Sequence, residues 1–98
     1  MTQILVLNGP NLNLLGTREP EYYGSLTLDE IIVSMDQLAN TLGHTIAHLQ
    51  SNQAHELIDR IHAAQTDGTQ FIIIEPAAFT HNSVALRAAL SSEKIPLI

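Results

Sequence analysis

The order of segments in this sequence predicts an α/β fold built on a parallel sheet, and three observations carry that prediction. Short apolar runs alternate with stretches of helical period, giving the order βαβαβαβ. Phe71-Ile72-Ile73-Ile74 is continuously apolar, as in a strand covered on both faces. Thr27-Leu28-Asp29-Glu30 has the capping-box pattern, and Gly43 supplies the matching stop, so one helix is framed at both ends. Right-handed crossovers then place helices on both faces of the sheet and ligands beyond the carboxyl ends of the strands.

The first strand is expected over residues 3–7 and ends at Asn8-Gly9-Pro10, a strong stop. Asn8 to Gly24 follows, a polar segment without helical or strand period. A helix over 28–42 puts Ile31, Ile32, Met35, Leu38, Ala39 and Leu42 on one stripe. Residues 45–49 form a second strand, after which Ser51 and Asn52 are candidate N-caps for a helix over 53–66 carrying Leu57, Ile58, Ile61 and Ala64. Asp67-Gly68 closes it. The apolar run over 71–74 is the third strand, Asn82 or Ser83 caps a helix through about Ser91, and 95–98 begins a fourth strand.

At 98 residues the chain accommodates one domain with one modest core. A formal charge of -6 with four scattered cations, Arg18, Arg60, Arg87 and Lys94, argues against nucleic acid or an anionic membrane as partner. Without cysteine there is neither a disulfide nor a thiolate site. No apolar run approaches a membrane span and no signal peptide is recognisable, so a cytoplasmic setting is expected. His44, His48, His55 and His62 read as exposed positions on a strand end and helix faces. No pair of them combines ligand spacing with carboxylates at the active edge, and no metal is expected.

Three segments lie at the carboxyl edge of the predicted sheet: the loop after Leu7, the turn after Leu49, and residues 75–82. They offer Asn11, Arg18, Tyr22, Tyr23, Glu75, His81 and Asn82. Asn8-Gly9-Pro10-Asn11 matches no phosphate-cradling glycine motif. A phenol with a pKa of about 10 is barely ionised at neutral pH, but a guanidinium beside it favours the phenolate, which can act as a general base on a carbon acid. Arg18 and Tyr23 fit that pairing, and equally an ordinary packing and hydrogen-bonding pair. His81 fits either a cap partner or a ligand-binding donor.

Two motifs narrow these alternatives. L-V-L-N-G-P-N-L-N-L-L-G-T-R-E-P-E-Y-Y-G, ending at Gly24, and I-I-I-E-P-A-A-F-T-H-N-S-V-A-L-R-A-A-L, ending at Leu90, closely resemble the type II 3-dehydroquinate dehydratases. The resemblance extends through Q-S-N-Q-A-H-E-L-I-D-R-I-H in the middle of the chain. It implies a flavodoxin-like, doubly wound parallel sheet, a dodecamer assembled from trimers, and no cofactor. It also implies trans-dehydration of 3-dehydroquinate through an enolate, the third step of the shikimate pathway. By the same resemblance Tyr23 is the base, Arg18 lowers its pKa and closes the loop, Asn11 holds a water or the enolate, and His81 binds a substrate hydroxyl. The Schiff-base route of the unrelated type I enzymes needs a lysine at the site. The sole lysine, Lys94, is expected at the opposite edge.

The sequence departs from the family pattern at two positions. Glu75 stands where the family has a substrate-binding asparagine, and Ala88 where it has an aspartate that reaches a neighbouring subunit. The family pattern also continues past Ile98, with the general-acid histidine, the carboxylate anchor, and the last strand and helix. A non-catalytic relative that keeps the fold and binds a small molecule, or serves in an oligomer, is the alternative these departures leave.

Overall fold

The computed structural model describes residues 2–16 and 26–77. Strands β1 (Gln3–Asn8), β2 (Thr45–Gln50) and β3 (Phe71–Glu75) pair in parallel in the order β2-β1-β3, as the α/β expectation requires. Helix α1 (Leu28–Leu42) connects to β2, and α2 (Ala54–Ala64) leads from β2 to β3. Since β1 lies between its two successors, the chain leaves it first to one side and then to the other. The expected third helix and fourth strand lie outside the described residues.

Parallel register sorts the strand residues into two faces. On one face Leu5 pairs with Ala47 and Ile72, and Leu7 with Leu49 and Ile74. Helix α2 covers this face with Leu57, Ile61 and Ala64, forming one core cluster with Leu5, Leu7 and Ile72. Leu57, Ile61 and Ile72 have no exposed surface, and each such side chain contributes about 1.5–3 kcal/mol by burial. The opposite face carries Ile4, Val6 and Asn8 on the central strand, and its final row of Gln50, Asn8 and Glu75 is wholly polar. That row marks where the core ends and the ligand edge begins.

Helix α1 begins and stops as its sequence predicts. Thr27 Oγ1 accepts from the Glu30 amide at 3.1 Å while Glu30 Oε1 accepts from the Thr27 amide at 3.3 Å. Gly43 ends the helix in the left-handed region at φ 80°. The expected stripe is only partly used, however. Ala39 is buried, whereas Leu38 and Leu42 remain 62 % and 61 % exposed, because among the described residues no layer covers that flank of the sheet. They border a small apolar cavity of about 180 Å³ against Ile4, Ile46 and Ile73.

Helix α2 is shorter than the 53–66 expected. It ends at Ala64, and residues 65–68 form a turn. Asp67 imposes that turn: its Oδ1 accepts from the Thr69 amide at 3.0 Å and the Thr69 hydroxyl at 2.6 Å, its Oδ2 pairs with Arg60 at 2.9 Å, and Gly68 takes φ 93°. These contacts hold the Asp67 carboxyl below its ordinary pKa, with the Thr69 hydroxyl as the largest cause, opposed by desolvation. His48 also departs from expectation. It is 14 % exposed rather than open, because its position in β2 faces α1, where Nε2 meets Asp36 Oδ1 at 2.9 Å.

Candidate active site

The three carboxyl ends of the strands converge on the segment Gly9-Pro10-Asn11, and nearly every backbone polar group there has a named partner. The Gly9 amide donates to the Glu75 carbonyl at 2.8 Å, and the Ser51 amide donates to the Asn8 carbonyl at 3.0 Å. Gln50 Nε2 donates to the Gly9 carbonyl at 3.0 Å, and the Asn11 amide donates to Asn52 Oδ1 at 2.9 Å. A loop leaving a buried strand is thereby tied to the ends of both neighbouring strands.

Glycine at position 9 is required by space. A Cβ there would lie 2.3 Å from the Pro76 carbonyl oxygen and 2.7 Å from its carbon. The backbones that leave β1 and β3 therefore touch at the point where the connections diverge, which is where doubly wound sheets open a ligand crevice. Just beyond, Asn11 adopts the left-handed region at φ 68°, a conformation asparagine tolerates better than most residues. It heads a 3-10 turn over Leu12–Leu14, so the segment expected to lack any period has one turn of structure. This turn lies against α1.

Glu75 is exposed at the end of β3, and its Oε1 accepts from the Ala77 amide at 3.0 Å. This bond turns the carboxylate back on its own chain and accompanies Ala77 at φ 50°. An ionised carboxylate offers only acceptors, so a ligand group meeting it must donate.

Neither Ser51 nor Asn52 is the N-cap expected of it. Gln53 occupies that position without a side-chain bond. Ser51, which is buried, accepts from the Gln53 amide at 2.9 Å and donates to Glu56 Oε1 at 2.7 Å, closing the helix start from two residues upstream. Asn52 is thus free to face the β1 loop. The roles of Gln50 and Asn52 were not anticipated, although their place at the carboxyl end of β2, on the predicted ligand edge, was the available signal.

Of the seven candidates, the structure brings Asn11 and Glu75 to the same carboxyl edge. Arg18, Tyr22, Tyr23, His81 and Asn82 lie outside the described residues, as do Ala88 and Lys94. Among the described residues no group of His, Asp and Glu side chains is arranged to hold a metal ion, and no helix is long and apolar enough to cross a membrane.

A doubly wound α/β protein with its crevice at the switch point between β1 and β3 is the class this arrangement defines. The chain belongs to the class II dehydroquinase family, whose model, described as "Dehydroquinase class II", matches residues 2–98. Curated relatives are 61 % identical to it in Pseudomonas aeruginosa and 59 % in Pseudomonas putida, both named "3-dehydroquinate dehydratase 1". The chain is matched over its whole length and spans 67 % and 65 % of these relatives. A crystal structure of type II dehydroquinase from Butyrivibrio crossotus superposes with a TM-score of 0.93 at 38 % identity, covering 98 % of this chain and 67 % of that one. The corresponding structure from Propionibacterium acnes gives 0.90 at 37 % identity, with 99 % and 66 % covered.

Proposed function

We infer that this chain serves the reaction for which its relatives are named: it is a 3-dehydroquinate dehydratase, a hydro-lyase of the shikimate pathway. The observation that carries the reading is the placement of Asn11, in its left-handed turn, at the switch-point crevice of a class II dehydroquinase sheet. The chain forms one flavodoxin-like domain, acts in the cytoplasm, and assembles as a homo-oligomer of the trimer-based type.

The dehydration removes a proton from the carbon next to the substrate ketone and a hydroxyl from the carbon beyond it, releasing water. Tyr23, ionised with the help of Arg18, takes the proton, and the electron pair moves onto the ketone oxygen as an enolate. Asn11 meets that oxygen, directly or through a water, where charge develops. A preorganised donor of this kind supplies roughly 3–4 kcal/mol of transition-state stabilisation. His81 holds a substrate hydroxyl. The enolate then collapses, expelling the hydroxyl as water once a general acid has protonated it. The resemblance assigns that acid and the carboxylate anchor to the part of the family's length that this chain does not match.

An ultraviolet assay for the conjugated product tests the reading. Protein that carries this sequence together with the acid- and anchor-bearing part of the family's length is expected to form the enone, and Tyr23→Phe in that parent to lower kcat by roughly 10²–10⁴. Borohydride added with substrate is expected to leave the protein mass unchanged. A parent protein without turnover, or a Tyr23→Phe variant with full kcat, rejects the proposal.

A further inference from the structure

We propose that Asn52 is a positioning residue for Asn11, and that Gln50 and Asn52 together form a clamp fixing where the Asn11 carboxamide meets the developing enolate. The inference rests on the dehydratase reading for its catalytic consequence, but the clamp itself stands on geometry.

Asn52 Oδ1 accepts two hydrogen bonds, from the Asn11 amide at 2.9 Å and from Gln50 Nε2 at 3.2 Å. Gln50 Nε2 also donates to the Gly9 carbonyl at 3.0 Å. Chemistry fixes both carboxamide orientations: the Gly9 carbonyl can only accept, so the Gln50 atom facing it is the nitrogen. Both groups facing Asn52 are then donors, so the Asn52 atom between them is the oxygen. Pro10 has no amide to contribute, and the Gly9 carbonyl and the Asn11 amide on either side of it are the two points that the Gln50 and Asn52 side chains grip.

The grip has work to do at Asn11. The left-handed region is less stable than the extended one for any residue with a Cβ, asparagine included, though less so than for most. The local bond available, from the Leu14 amide to the Asn11 carbonyl at 2.9 Å, restrains only its carboxyl side. Asn52 restrains its amino side. Without Asn52 the Asn11 amide bonds to water in either conformation and the left-handed state loses that anchor.

Catalysis should register this loss in one parameter. Asn11 acts on the enolate, which exists only after substrate is bound, so misplacing its carboxamide weakens transition-state binding while ground-state binding is spared. The clamp also specifies which conservative replacement works. An aspartate at position 52 keeps an oxygen acceptor for both donors, whereas alanine keeps none.

The test compares Asn52→Ala and Asn52→Asp with the parent protein, reading kcat, KM, melting temperature and the exchange rate of the Asn11 amide. Asn52→Ala is expected to lower kcat about tenfold with KM within about twofold, and to speed Asn11 amide exchange at least tenfold. Asn52→Asp is expected to restore kcat to within about threefold of the parent and to restore slow exchange, with any charge effect confined to KM. Unchanged exchange in Asn52→Ala overturns the clamp, as does an alanine variant that raises KM alone. Loss of kcat in both variants alike, with a lowered melting temperature, also overturns it. Should the parent show no turnover, the dehydratase reading fails, while the exchange measurement still decides the clamp.

Discussion

Gly9 and Glu75 join the two diverging connections of the sheet through one bond, the Gly9 amide donating to the Glu75 carbonyl at 2.8 Å. The approach is so close that a Cβ at position 9 would overlap the next carbonyl, that of Pro76, at 2.3 Å. Because the overlap is with backbone, no side-chain rotation relieves it. Gly9→Ala is therefore expected to destabilise the protein by about 1–3 kcal/mol and to open the crevice. Urea denaturation together with kcat measures both effects, and a fully stable, fully active alanine variant would show that the two loops part readily.

Glu75 presents a carboxylate at an edge proposed to bind an anionic substrate. Glu75→Gln keeps the length and an acceptor for the Ala77 amide while removing the charge. At roughly 8 Å and an effective dielectric constant of about 40, the repulsion removed is about 1 kcal/mol. KM should accordingly fall roughly fivefold, and the difference between variant and parent should shrink as salt is raised. An unchanged KM at low salt would place the substrate carboxylate well away from this residue.

The turn after α2 makes a pH-dependent contribution. Asp67 is held below its ordinary value of 3.8, chiefly by the Thr69 hydroxyl. A depressed carboxyl stabilises the fold above that unfolded value, and the contribution disappears as pH falls through the lower folded one. Thr69→Val is expected to lose about 1 kcal/mol at pH 7, and the gap from the parent to narrow below about pH 3.8. Urea midpoints at pH 7 and pH 3 check the sign; a gap that widens in acid contradicts the assignment.

The two helices should respond differently to truncation. Leu57 on α2 is fully buried against the sheet, whereas Leu38 on α1 is 62 % exposed. Leu57→Ala is expected to be destabilising by about 2–5 kcal/mol, and Leu38→Ala by less than about 0.5 kcal/mol. Thermal melts of both variants at low protein concentration provide the comparison. A large loss at Leu38 would mean that this flank of the sheet is covered in the assembled protein.

Local chemistry was enough to read much of this protein from its sequence. Thr27, Glu30 and Gly43 frame α1 through contacts within a few residues of one another, and Asp67-Gly68 marks a turn on the same principle. The β-branched run from Phe71 signals a strand wherever it packs. The motif ending at Gly24 points to the family through its residues alone. What the sequence could not supply were relationships between segments far apart along the chain. The bond from Asn11 to Asn52 spans 41 positions, and Asn52 looks like a helix cap until Ser51 is seen to close the helix instead. The contact of Gly9 with Pro76 depends on β1 lying between β2 and β3, an order that periodicity does not encode. The exposure of Leu38 depends on which layer covers the sheet, which a helical stripe alone does not specify. Helix caps and turns are settled within a few residues, so sequence determined them; the clamp and the crevice arise where separate strands end side by side, so only the tertiary structure decided them.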